Sequence, residues 1–262
     1  MHSVFGDAQT QTITHPNTML TVVIGLAACL FFSVATTVDA YQAEEVRDGG
    51  TISGIVKYGS APRSPVPLAV TKDRDVCGTS PLYDQSLVVA QDRGVANAVV
   101  TIADITHGES VKPQPAVRFD QKRCQYIPHV AVFPAGSTVV IFNSDGILHN
   151  IHTESTANPV IDLAQPGFKK QIHVTIEKPE VVKVTCDAHN WMEGWWYVTA
   201  NPYYAITDGH GRYVIANVPP GSYTLRVWQE RLGSESEHVV VRPGAATAAN
   251  FMLMSSKTKG SD

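Results

Sequence analysis

The sequence predicts an all-β protein made of two β-sandwiches, one with Greek-key connections that is either inserted into, or followed by, the second. Three observations lead there. From Thr51 onward short apolar runs alternate with polar residues, as in Ile52-Ser53-Gly54-Ile55-Val56-Lys57-Tyr58. Turn formers cluster between such runs, from Gly59 to Pro67 and again at Val218-Pro219-Pro220-Gly221-Ser222. No long stretch combines a helical apolar period with capping residues, so any helices are expected to be short.

In chain order, the first feature is Met19 to Ala35, an apolar run without charge that leads into small residues and then polar sequence from Asp39. Residues 1–40 have the layout of a secretory signal, with cleavage expected after Ala35 or after Ala40. No Lys or Arg precedes the run and it is nearly long enough to span a bilayer, so a membrane tether through residues 19–35 stands beside cleavage. Leu26-Ala27-Ala28-Cys29 adds a lipoprotein reading. All three export the rest of the chain, to a periplasmic or other extracytoplasmic space.

Export makes the four cysteines informative. Cleavage at either site removes Cys29. In an oxidising compartment Cys77 and Cys124 either pair or stand as small buried residues, and pairing leaves Cys186 as the odd thiol, the state a metal ligand requires.

Tyr41 to Gly50 reads as a linker. Strands are expected at Thr51 to Tyr58 and at Val95 to Ile102. Farther on, Val117 to Phe119 begins an extended segment, Val130 to Phe133 continues it, and Thr138-Val139-Val140-Ile141-Phe142 is a buried strand that delivers Asn143 and, six residues later, His149. Ile172, Val174 and Ile176 alternate with His173 and Thr175. Val182-Lys183-Val184-Thr185 runs directly into Cys186. Past Ala200, Thr207 to Ile215 reads as turn and strand, Tyr223 to Val227 as another strand, and residues 255–262 as a polar tail.

The chemistry lies where two of these strands end. Cys186-Asp187-Ala188-His189-Asn190-Trp191-Met192 puts a thiolate, an imidazole and a thioether on one loop, which is a soft-metal ligand set. One loop cannot close around an ion, and His149 is the candidate from the other strand. Two nitrogens, one thiolate and a weak axial thioether suit a copper ion that changes oxidation state with little rearrangement. A thioether is a poor zinc ligand. Zinc and a metal-free fold remain as alternatives.

This segment resembles the cupredoxin, or blue-copper, family, with a ligand loop of the amicyanin and plastocyanin kind. The resemblance covers about 85 residues and rests on Asn143…His149-Asn150-Ile151-His152 and on the Cys186 to Met192 spacing. It implies one type 1 copper ion held by His149, Cys186, His189 and Met192, with Asn150 tying the two ligand loops together. The remainder resembles the carboxypeptidase regulatory-like, transthyretin-like sandwich. An Asp208-Gly209-His210-Gly211 turn, an aromatic strand and Pro219-Pro220-Gly221-Ser222-Tyr223 carry that likeness, with an upstream start at Gly50 to Val56. The implied division is residues 49–105 and 203–254 for a split sandwich and 106–202 for the copper domain; three consecutive modules are the rival.

Other residues have two readings each. His152 is expected at the surface rather than as a fifth ligand. His129, five residues after Cys124, leaves a second metal site open. His107, His173, His210 and His238 are expected to be solvated. Trp191, Trp195 and Trp196 either pack under the site or rim an exposed His189 edge where a redox partner couples.

A net charge of −4 gives no basic footprint for nucleic acid. No His-Glu-x-x-His helix and no serine elbow is present, so no enzyme activity is expected. A single metal-loop cysteine excludes a paired-copper centre, and room for one such domain excludes a multicopper oxidase. The expected function is one-electron transfer with redox partner proteins as donor and acceptor. Copper trafficking is the second reading, weakened because the five methionines form no Met-rich tract. A non-redox surface or adhesion module is the third.

Overall fold

The computed structural model describes residues 41–255. The leader, the residue 19–35 tether and nearly all of the polar tail lie outside the described residues. Among the described residues no helix is long and apolar enough to cross a membrane. The described residues are nearly all β, and the one α-helix among them is the four-residue Arg74–Cys77.

Two sheets face each other across the first core. One has five strands, Asp162–Gln165, His149–Glu154, Glu180–Thr185, Glu193–Thr199 and Val130–Pro134 in spatial order. The other has four, Gln171–Ile176, Ser137–Asn143, Val117–Lys122 and Gln125–Ile127. Alternation sends Phe119 and Ile141 inward from one sheet, and Ile151, Val182, Val184 and Trp196 inward from the other. Trp196 is fully buried between Phe119 and Phe133, whose rings lie 5.5 and 6.4 Å away. It therefore packs the interior and forms no part of a surface rim.

A second core is made from strands on both sides of that sandwich. Gly50–Tyr58 pairs with Arg212–Val218, Ala246–Ala248 and Phe251–Leu253, placing Ile52 opposite Ile215. Val99–Ile102 pairs with Tyr204–Ile206 and Gly221–Gln229, placing Ile102 opposite Leu225. Ile52, Ile102, Ile215 and Leu225 lie in one buried cluster. The expected strand at Val95 to Ile102 starts only at Val99, because Asn97 takes a left-handed φ of 59° that breaks the ladder. Within the expected linker, Gln42–Ala43 forms a short parallel pair with His107–Gly108.

The two cores are joined by a polar clamp. Glu230, just past Gly221–Gln229, accepts from Trp195 Nε1 at 2.7 Å and pairs with His129 Nε2. Both members of the His129–Glu230 pair have buried side chains. Glu230→Gln leaves this junction without its charge and is expected to cost about 2 kcal/mol, read from urea denaturation of the full chain.

A second buttress serves the sandwich of residues 117–199. Burial would raise the Glu180 carboxyl, but donors from Ser155, Thr156, Ala157 and Asn158 outweigh it and hold it below its ordinary value of 4.5. A depressed carboxylate contributes stability above its unfolded pKa and loses it as the pH falls below. Glu180→Gln is therefore expected to cost about 1 kcal/mol at neutral pH, after allowance for solvent screening. The difference in urea midpoint should vanish well below pH 4.5.

Candidate metal centre

His149 opens the strand His149–Glu154, and Cys186 directly follows Glu180–Thr185, its antiparallel neighbour. Sheet pairing thus brings together two donors that are 37 residues apart. The loop after Cys186 turns tightly: His189 N–H donates to Cys186 O at 3.2 Å and Met192 N–H to His189 O at 2.9 Å. This brings His189 back beside Cys186, and the side chains of His149, Cys186, His189 and Met192 are all buried. On the opposite side, loops 144–148 and 166–170 touch at Gly146 and Gly167. A Cβ at Gly167 would lie 1.9 Å from Gly146 O, so the approach needs glycine there.

The donor atoms form a small triangle. His149 Nδ1 and His189 Nδ1 are 3.0 Å apart, and Cys186 Sγ is 3.9 and 3.7 Å from them. The outer ring nitrogens face acids: His149 Nε2 is 3.0 Å from Asp145 Oδ2, and His189 Nε2 is 2.9 Å from Asp73 Oδ2. A carboxylate opposite Nε2 keeps the proton on that nitrogen and leaves the Nδ1 lone pair free. Two such lone pairs facing each other across 3.0 Å repel unless a cation lies between them. Three donors with these separations can all lie about 2.0 to 2.3 Å from one ion, the usual length of metal bonds to imidazole and thiolate. The residues therefore fit a soft-metal ion held through both Nδ1 atoms and the Cys186 sulfur.

The electrostatics of Cys186 and His189 agree, while that of His149 favours its proton. Burial would raise the Cys186 thiol, but the hydrogen bond to His149 and backbone N–H groups of Asn150 and His189 bring it below the usual thiol range. For His149 burial acts downward, and Asp145 and Cys186 more than reverse it. Burial lowers His189, and Asp73 only partly opposes it. A depressed thiol is the form that binds metal.

Asn150 links the two loops. Its side-chain oxygen accepts from Asp187 N–H at 2.6 Å and its amide donates to Asp187 Oδ2 at 2.7 Å. The Tyr126 hydroxyl is shared between Asn150 O at 2.7 Å and Thr185 O at 2.9 Å, bracing the same two strands.

One expectation fails. His189 has no exposed edge: its side chain is fully buried, because residues 59–95 fold across the metal loop and set Asp73 over Nε2. Cys77 and Cys124 form a disulfide that holds this segment down, and their sulfurs lie within 4.8 Å of His189. His129 does not join a second metal site. Its ring turns to Glu230, and the Cys124 sulfur is committed to the disulfide. Trp191 lies against His189, 5.1 Å between ring centroids, while Trp195 packs on Trp228 at 5.3 Å. His152 is partly exposed, 3.1 Å from Asp187 Oδ1 in a surface group that includes Asp162.

Two working residues were not marked by the sequence reading. Asp145 sits four residues before His149 and also accepts from Arg123 N–H at 2.6 Å and Cys124 N–H at 2.8 Å. That spacing could have flagged it. Asp73 had no such signal, since its contact with His189 spans 116 positions.

Residues 197–254 match the family described as Carboxypeptidase regulatory-like domain. No curated protein sequence matches the chain. Among solved structures, the chain is similar to a purple cupredoxin from Nitrosopumilus maritimus, at 23% identity over 34% of this chain and 100% of that one, with a TM-score of 0.26. It is similar to amicyanin from Paracoccus versutus at 18% identity, over 38% of this chain and 97% of that one, with a TM-score of 0.29. A Cu-containing nitrite reductase from Thermus scotoductus SA-01 is 22% identical over 35% of this chain, with a TM-score of 0.29. There the match spans only 24% of the reductase.

Proposed function

We propose that this is an exported type 1 copper protein that carries single electrons between partner proteins. The observation that carries the reading is the buried triangle of His149 Nδ1, His189 Nδ1 and Cys186 Sγ, whose two nitrogens face each other at 3.0 Å. Bound copper supplies a charge that changes by one electron. The chain does the rest. His149, Cys186 and His189 would hold the ion strongly and Met192 weakly; Asp145 orients His149, and Asn150 holds the loops at one spacing. Rigid ligands keep the structural change between oxidation states small.

Burial of every donor argues against copper hand-over, which needs an accessible ligand. Export, to the periplasm or an equivalent space, rests on the leader together with the disulfide. The sandwich on which residues 50–58, 99–102 and 204–253 converge is read as the host into which the metal-bearing sandwich is inserted.

The test is the visible and EPR spectrum of the exported part loaded with Cu(II). One copper per chain, an intense thiolate-to-copper band and small copper hyperfine splitting are expected. A colourless protein that takes up no copper would leave the surface-module reading in its place.

A further inference from the structure

We propose that Asp73 is a positioning residue of the metal centre, and that the segment carrying it closes the His189 edge so that electrons pass instead through Trp191 into the cleft between the two sandwiches. The proposal rests on the copper reading above, but its first observation is independent of any metal. Residues 59–95 precede the metal-bearing sandwich in the chain, yet one of them makes the hydrogen bond that fixes a ligand ring.

The contact is built. Asp73 has a left-handed backbone, φ 46° and ψ 45°, which aspartate adopts more readily than most residues. Its carbonyl accepts from Val76 N–H at 3.0 Å and Cys77 N–H at 2.8 Å, which ties it to the turn of helix that ends at the disulfide. From the far side Arg123 Nη2 donates to Ser80 Oγ at 2.6 Å. The carboxylate is thus delivered to His189 Nε2 by a covalent staple and several hydrogen bonds, and the imidazole is left with no exposed surface.

Closing that edge leaves Trp191 as an aromatic way out. It is the ring against His189, and its indole N–H donates to Cys124 O at 3.2 Å, which fixes its orientation. It is partly exposed and, with Met192, Tyr126, His129 and Glu230, lines a cleft of about 240 Å³ between the sandwiches. Electronic coupling falls with distance, so a partner at this cleft meets the centre through the Trp191 ring, with the nearly fully buried Met192 beside it, whereas a partner over His189 is held off by Asp73 and its segment.

The first test uses the metal-free full chain. Diethyl pyrocarbonate with peptide mapping should leave His189 unmodified in wild type and in Asp73→Asn, whose amide oxygen can still accept from Nε2, and should modify it in Asp73→Ala. Modification of wild-type His189 as fast as the exposed His238 would overturn the cap. Asp73→Ala should also weaken Cu(I) affinity by about 10- to 100-fold, with Asp73→Asn restoring most of it; unchanged affinity would remove the positioning role.

The second test follows bleaching of the copper-loaded chain by hexaammineruthenium(II), each ion giving one electron as Cu(II) becomes Cu(I). Trp191→Leu should slow it several-fold with an unchanged spectrum, and Trp191→Phe should restore much of the rate. In an Asp73→Ala background, where the edge is open, Trp191→Leu should have little effect. Equal slowing in both backgrounds, or none in either, would overturn the route. A loaded wild type with no visible band would instead sink the copper reading and leave the cap result standing.

Discussion

Cys186→Ser loaded with Cu(II) is expected to lose the visible charge-transfer band entirely while keeping its fold. The band requires a sulfur bound to copper, and Cys186 is the free cysteine among the described residues. Serine nearly matches the side chain in size and still accepts hydrogen bonds, so far-UV circular dichroism should not change. Met192→Leu should behave differently. A thioether that binds weakly would tune the site without creating the band, so colour should persist with altered position and a shifted potential. If Cys186→Ser stays as intensely coloured as wild type, the ligand assignment fails.

Replacing both Cys77 and Cys124 with serine is expected to cost about 4 kcal/mol, the chain-entropy value for a loop of this length. The bridge spans a sequence separation of 47. Urea denaturation of wild type and double variant gives the number directly. A loss near zero would mean that the segment over the metal loop is held by its packing and hydrogen bonds alone. Both sulfurs are buried, so the serine hydroxyls add a desolvation penalty and the measured cost should not fall below the entropic one.

The parts of the fold with a strict period were legible. Ser137–Asn143 and Glu180–Thr185 alternate or run apolar up to their last residues; Cys186 follows the second directly, and His149 opens the strand after the first. Pairing in the sheet then supplies what spacing cannot, the approach of His149 to Cys186. The cover over His189 was not legible, because residues 59–95 hold it through a left-handed aspartate, a short helix and scattered hydrogen bonds, none of which has a period. The tryptophans were ambiguous for a related reason. Trp195 and Trp196 are neighbours in a strand and so face opposite sides, one toward Glu230 and Trp228 and the other into the core. Composition alone treats them alike.

The pairing of Gly50–Tyr58 with Arg212–Val218 has a consequence for the order of folding. Apart from a short bridge between Lys57 and Gly94, the early strand has no ladder partner until Arg212–Val218 and the strands after it have been delivered. Closing so long a loop from an unfolded chain is entropically costly and slow. Once residues 117–199 have collapsed, their own ends lie close together and the open span is short. The inner sandwich thus acts as the jig on which the outer one is assembled. Slow emergence of the C-terminal strands during synthesis would leave most of the Gly50–Tyr58 edge unpaired, the stretch most in need of protection from aggregation.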